Sequence, residues 1–429
     1  MKVIRIGICA ALAFSVLLHG AVEVWSGTIF EAGAAILLVG WAWHSFRDSE
    51  FTIVWNPLIW PLLGLLLFGL MQIACGWTVY PYLSKQELLR WSASFIYLFL
   101  SAQVFREKRD LKMLVWFVIA FGFLVGLFGI VQQFTFNGKL YWMRRMTQGG
   151  IPFGPFVNRN HFAGFMELVV PLGLALLIFR GIRKEQFPLT ALFSVVQVGA
   201  LVLSASRGGI IGFVFGAGLL LALSRARRAG QVRRGAMVIV LLAAVAMMGW
   251  LGMGQVAERF SKGGSGDVSL TRRAAITRGT WHIFMDHPWT GTGAGTFAIV
   301  YPRYEEFYDG NVIEHAHNDY VELLGDMGLP GALLGACFLF LFFRGAFLEF
   351  QAHQSPFSLA MHAGALAACA SLLLHSFVDF NLHIPSNATF FLVMAYLATV
   401  PALPREEVHR ISTRMRTFAI VDSSAPAAP

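Results

Sequence analysis

Charge is what this sequence has least of. Of its 429 residues only 13% are Asp, Glu, Lys or Arg, about half the share of an average soluble domain, whereas 56% are hydrophobic and the mean hydropathy is +0.62. A soluble multidomain chain is excluded, and length becomes a measure of membrane crossings. Cysteine is scarce too. Cys9, Cys75, Cys337 and Cys369 lie in or beside apolar runs without paired spacing, which excludes a disulfide framework and a cysteine metal site. No internal repeat stands out, and no cleavage signature follows the first apolar run. No buried strand leads into the glycine-rich GTGAG at 291–295, so that run reads as a tight turn and not a dinucleotide fingerprint. The net charge of +9 is scattered through short loops between apolar runs, which argues against a nucleic-acid surface.

What the chain does have is apolar length. Runs able to span a bilayer, roughly 17 to 25 residues each, begin near positions 4, 27, 57, 87, 111, 161, 188, 207, 235, 328, 357 and 384. They predict an all-α polytopic membrane protein of about twelve transmembrane helices. Helices one to nine fall in 1–254, a large helical loop in 255–327, helices ten to twelve in 328–404, and a tail in 405–429. Lys and Arg crowd the loops on one side, from Lys2 and Arg5 through Arg106 to Arg109 and on to Arg344. The positive-inside rule makes that side cytoplasmic, so both termini are expected inside and the polar loop outside. A loop of that length in a compact bundle is usually functional.

Arginines at outer corners run against this bias. Arg144, Arg145, Arg159 and Arg207 each have a bland account as headgroup contacts. Guanidiniums at the mouths of several spans also suit a multiply charged anion, which Arg binds in bidentate fashion. Arg159 lies in GPFVNRNHF (154–162) beside Asn160 and His161, where a helix begins and an anion is welcome. Arg207 lies in SASRGG (204–209), where two spans meet with almost no spacer. Within the spans, Glu167 and the pair His375 and Asp379 are costly unless they face the bundle interior. The pair stands one helical turn apart and is expected to bond to itself.

The run HAHNDYVELLGDMGLPG (315–331) is the densest in polar chemistry. Tyr320, Val321, Leu324 and Met327 keep helical spacing from His317, so His317 should open a short amphipathic helix that Gly328 ends, with Pro330 starting the next span. His315, Asn318 and Asp319 stand beside it as supports. An imidazole pair with Asp319 can be drawn as a metal site, yet no third ligand has suitable spacing and no metal is expected. Tyr301, Tyr304, Phe307 and Tyr308 serve either as a membrane belt or as stacking faces for sugar rings.

Taken together, SASRGG, the arginines leading to DHPWTGTGAGTF, and HAHNDYVELLGDMGLPG resemble the O-antigen ligase and O-antigen polymerase superfamily of bacterial inner membranes. The ligase signature is His, then Asn, Ser or Gln, nine residues, Gly, two residues, then Gly, Thr or Tyr. His317, Asn318, Gly328 and Gly331 meet it. The resemblance implies a GT-C-like glycosyltransferase without metal or other cofactor. Its donor would be an undecaprenyl-diphosphate-linked glycan and its acceptor the lipid A core or another glycan, amid membrane lipids and without nucleic acid. By motif the catalytic histidine is His317, and the diphosphate-binding arginines are Arg207 and Arg273, the latter thirteen residues before Asp286. The family's Trp four residues after that arginine is Thr277 here, which keeps Arg272 and Arg278 as candidates, and Arg159 joins the set from the outer corner.

Fixed guanidiniums would stabilise charge on the leaving diphosphate where other enzymes use a metal. His317 would take the proton of the attacking hydroxyl or hold the diphosphate. The expected outcome is an inverting, metal-independent transfer. A polymerase would share the donor chemistry. From another class, a lipid-linked glycan flippase or transporter is expected to place charges near mid-membrane in related halves, whereas here they gather at one face.

Overall fold

The computed structural model describes residues 1–47, 53–145, 151–227, 233–251, 270–306, 310, 312–352 and 355–401. The tail 405–429, most of the stretch before 270, and Phe307 and Tyr308 lie outside the described residues.

The fold is all-α. Twelve helices stand where the apolar runs predict them: α1 (Lys2–Leu17), α2 (Val24–Arg47), α3 (Ile59–Ala74), α4 (Pro81–Val104), α5 (Lys108–Phe134), α6 (Arg159–Ile178), α7 (Phe187–Leu203), α8 (Arg207–Arg225), α9 (Arg234–Leu251), and, after the more polar α10 (Leu270–Asp286), α11 (Asp319–Ala352), α12 (Pro356–His375) and α13 (Pro385–Thr399). Among the described residues seven are long and apolar enough to cross a membrane: α2, α5, α6, α7 taken with the turn before it, α8, α11 and α12. Their outer faces carry Ile36, Leu124, Ile211, Val214 and Phe340, each more than half exposed. In a protein of this composition such faces are made for lipid.

Helix starts are fixed locally. Proline opens α4, α12 and α13, where its missing N–H costs nothing. Asn158 caps α6 by accepting from the Asn160 amide at 2.8 Å, and Ser206 caps α8 by accepting from Gly209 at 3.2 Å. Asn318 accepts from the amides of Tyr320 and Val321 at 3.1 and 3.2 Å, capping α11. Each cap satisfies amides that otherwise lack partners and contributes about 1 kcal/mol.

These three caps share one end of the bundle. There His19 bonds to Pro155 O at 3.0 Å and the Gln72 amide reaches Thr290 O at 2.6 Å. At the other end Arg5 pairs with Asp110 at 2.6 Å, Asn56 bonds to Thr399 at 3.1 Å and Lys108 to Ser355 at 3.2 Å. At the centre, α6 is buried along its whole length and α12 nearly so. They approach closely because Gly364 has no side chain; a Cβ there would lie 2.8 Å from Leu172 Cα.

Two interruptions position the capped end. Gly328 breaks α11 with φ 60 and ψ −164, where the sequence has a glycine end the first helix, and the GTGAG turn fits into the break. Gly293 and Thr292 donate to Asp326 O and Gly325 O, both at 3.0 Å, and Leu329 donates to Pro288 O at 2.7 Å. Alongside, α10 packs on the first turns of α11 around Ile276, Ile283, Phe297, Tyr301 and Ala316. Tyr301 is buried there and Tyr304 bonds to Asp286 at 2.7 Å. Tyr301 thus packs in this cluster and Tyr304 is tied to the end of α10.

Candidate active site

The capped end converges on one carboxylate. After α12 ends at His375, the chain makes a turn, a 3-10 segment at Asn381–His383, and then α13. Asp379 in that turn is fully buried. Asn160 Nδ2 donates to Oδ2 at 2.8 Å and the Phe380 amide donates to Oδ1 at 2.9 Å. Arg273 Nη1 stands 3.5 Å from Oδ2 and donates to Val378 O, while His317 Nδ1 and His161 Nε2 lie 3.7 and 3.8 Å from Oδ1. Burial works to raise the carboxyl's pKa, but the His317 imidazole and the Arg273 guanidinium hold it well below the usual range. A buried charge is tolerable only with such partners. Phe380 organises the imidazoles around it, with ring centroids 4.7 Å from His161, 4.5 Å from His315 and 4.9 Å from His317.

His317 is held in an unusual backbone state. Its φ of 51 lies in the left-handed region that non-glycine residues seldom enter, and such strain concentrates at functional sites. It precedes the cap Asn318 and so stands just outside α11, where spacing alone had it opening the first turn. The Asp319 amide donates to Ser376 O at 3.0 Å and Tyr320 Oη to Leu373 O at 2.6 Å, tying the start of α11 to the end of α12.

The remaining sequence candidates separate. Arg159, nearly buried, opens α6 beside Asn160 and His161. Arg207 opens α8 with an exposed side chain. Its neighbour Gly208 packs on the Asp379 turn, where a Cβ would meet the His375 ring at 2.6 Å and Val378 at 3.2 Å. Arg278 lies elsewhere, on the outer surface of α10, 60% exposed and paired with Glu306 at 3.0 Å. The expected bond between His375 and Asp379 is not made. The helix ends at His375, and its Nδ1–H donates instead to Glu167 Oε2 on α6 at 2.7 Å, which answers the cost of both buried groups.

His315 and Asp319 belong to a second cluster. His315 Nδ1 lies 2.7 Å from Glu322 Oε1, His383 Nε2 lies 3.2 Å from the same oxygen, and His383 Nδ1–H donates to Asp319 Oδ1 at 2.8 Å. Burial works against a charged His383, yet Glu322 and Asp319 raise its pKa to about 10. Sequence reasoning missed Glu322, His383 and the central part of Asp379. The signal available was the polar set Asp379, Asn381 and His383 in otherwise apolar sequence. A cavity of about 240 Å³ lies at the opposite end of the bundle among Asn56, Arg106, Arg344 and Thr399.

Residues 189–336 match the family model described as O-antigen ligase. The matched segment holds Arg207, Arg273 and His317, while Asn160, Asp379 and His383 lie outside it. Over 277 residues the chain is 21% identical to the teichuronic acid biosynthesis protein TuaE of Bacillus subtilis (strain 168), an alignment covering 61% of this chain and 55% of that relative. The chain thus spans little more than half the length of the relative it matches. The resemblance to the O-antigen ligase superfamily drawn from its motifs is borne out.

Proposed function

We propose that this membrane protein transfers a glycan from undecaprenyl diphosphate to an acceptor hydroxyl, with the Asp379 end of the bundle at the periplasmic face of a bacterial inner membrane and both termini in the cytoplasm. The observation that carries this reading is the meeting of His317 and Arg273, from distant segments, on one buried carboxylate. Arg159 and Arg207 begin helices at the same end, so positive charge is fixed where a lipid-borne diphosphate would lie with its polyprenyl tail in the bilayer.

In the reaction the acceptor oxygen bonds to the anomeric carbon from the face opposite the diphosphate. The carbon–oxygen bond to the diphosphate breaks, its electron pair leaves with the diphosphate, and the acceptor's proton passes to His317. Nδ1 of His317 is buried toward Asp379, which favours a proton on Nδ1 and leaves Nε2 to act as the base. Arg273, anchored by Val378 O and Asp379, supplies fixed charge for the leaving group without reorganisation. No metal enters the chemical step, and the configuration inverts.

The leading reading has the lipid A core as acceptor. A relative named for teichuronic acid biosynthesis favours a growing polysaccharide as the second. A deletion strain separates them: unmodified core with accumulated polymer marks a ligase, core bearing one repeat unit a polymerase, and unchanged glycans refute both. His317→Ala should express normally and, purified and given lipid-linked donor and acceptor, lose about a thousandfold in transfer, whereas a flippase would tolerate the change.

A further inference from the structure

We propose that His315, Glu322 and His383 form a binding site for a divalent transition-metal ion of the zinc type, apart from the Asp379 cluster. The three ligand atoms, two imidazole nitrogens and one carboxylate oxygen, lie within 4.8 Å of one another. Zinc bonds of about 2.0–2.2 Å place tetrahedral ligand atoms roughly 3.3–3.6 Å apart. The existing separations of 2.7 and 3.2 Å to Glu322 Oε1 need only sub-ångström adjustment, and the two imidazole nitrogens, within 4.8 Å of one another, close on the ion by rotation of the partly exposed His315.

Each ligand is already oriented for an ion. His383 Nδ1–H is fixed on Asp319 Oδ1 at 2.8 Å, the carboxylate–histidine relation that turns Nε2 toward a metal, and the ion displaces the proton that Nε2 otherwise holds toward Glu322. Glu322 Oε2 accepts from the Ala316 amide at 2.7 Å, which leaves Oε1 to face the imidazoles. His315 stacks on Phe380 at 4.5 Å and 25°. Glu322 is 1% exposed, His383 13% and His315 29%, so the site opens on the His315 side, where an ion enters and water completes its shell. Two nitrogens and one oxygen suit zinc better than magnesium or calcium, which prefer oxygen alone.

Sequence spacing offered only His315, His317 and Asp319. The fold removes His317 to Asp379, turns Asp319 into the outer carboxylate, and brings the third ligand from the turn before α13. Bound there, the ion joins the segment carrying His317, the start of α11 and the Asp379–His383 turn. That positioning consequence rests on the transfer reading; the binding does not.

The test uses the full chain without a histidine tag, stripped with chelator and returned to detergent or nanodiscs. Zinc is followed by calorimetry and cobalt by its visible absorption. One ion per chain is expected, with cobalt bands of four-coordinate intensity. His315→Ala, a partly exposed position, and His383→Gln should each weaken binding at least tenfold. His315→Ala should keep a cooperative melt in chelator, while His383→Gln, which leaves Glu322 and Asp319 short of a buried partner, should melt lower and still unfold cooperatively. His19→Ala, an imidazole elsewhere at the same end, should bind as wild type. Absence of a stoichiometric ion, or equal affinity in His315→Ala, overturns the site.

Discussion

Two carboxylate clusters share one end of this bundle, meet across the ring of Phe380, and are built to opposite ends. Around Asp379 a single carboxylate is faced by Arg273, His317, His161 and the Asn160 amide, so cationic and donor groups outnumber it. Around Glu322 and Asp319 two carboxylates are faced by two imidazoles. The first arrangement has positive charge to offer an anionic substrate; the second has negative charge to offer a cation. One end of a bundle therefore sorts its histidines by the carboxylate each one meets, and neighbours in sequence such as His315 and His317 serve different tasks.

The contrast breaks most sharply if His317 is dispensable. His317→Ala and Arg273→Ala should each lower single-turnover transfer by about a thousandfold, the scale for removing a base or an electrostatic stabiliser, with membrane insertion unchanged. His315→Ala, two residues away, should cost far less. Equal losses at His315 and His317 would merge the clusters into one.

Asp379→Asn comes next, because it keeps the shape and removes the charge that orders the first cluster. Transfer should fall about a hundredfold, chiefly in kcat, since removing one partner of a buried pair leaves the others uncompensated, at about 3–5 kcal/mol. The pH dependence has a definite sign. A carboxyl whose folded pKa is depressed contributes stability that is fully present above its unfolded value of 3.8 and is lost as pH falls through the folded one. Wild-type thermal stability should therefore decline more steeply below that value than the Asn variant's. Parallel curves would mean that Asp379 is not the charged centre.

Excess chelator sharpens the comparison from the other side. If metal belongs only to the Glu322 cluster and guanidiniums stabilise the leaving diphosphate, transfer should fall no more than several-fold in chelator, within the range of a positioning effect. A loss beyond a hundredfold would place the ion in the chemical step.

Much of the fold was legible because apolar length and capping are local properties. The twelve helix positions, the helix entry at Arg159, and the break at Gly328 all follow from residues within a turn or two of each other. The clusters were not, because they depend on which distant segments pack. Asp379 was paired with His375 on the assumption that α12 runs on through both. The chain leaves the helix at His375, frees Asp379 for Arg273, and lets α6 supply Glu167 as the partner. His383 could not be found as a ligand by spacing, since the fold and not the sequence interval brings it to His315. The left-handed backbone at His317 had no signature at all: a histidine there looks like the start of a helix until Asn318 is seen capping it.

The smallest effect concerns the neighbouring arginines of α10. Arg273 and Arg278 stand on one helix, and motif spacing kept both as diphosphate ligands because Thr277 replaces the expected Trp. Five positions on a helix turn a side chain through about 500°, which equals a rotation of about 140°, so the two cannot serve the same pocket. The structure places Arg273 against Asp379 and Arg278 on the outside with Glu306. An exposed pair of that kind contributes little, since solvent screens it. Arg278→Ala should leave transfer within about twofold of wild type and melting unchanged, while Arg273→Ala lowers transfer about a thousandfold. A large loss at Arg278 would mean that substrate reaches the outer face of α10, and the division between the clusters would have to be redrawn around the whole cap.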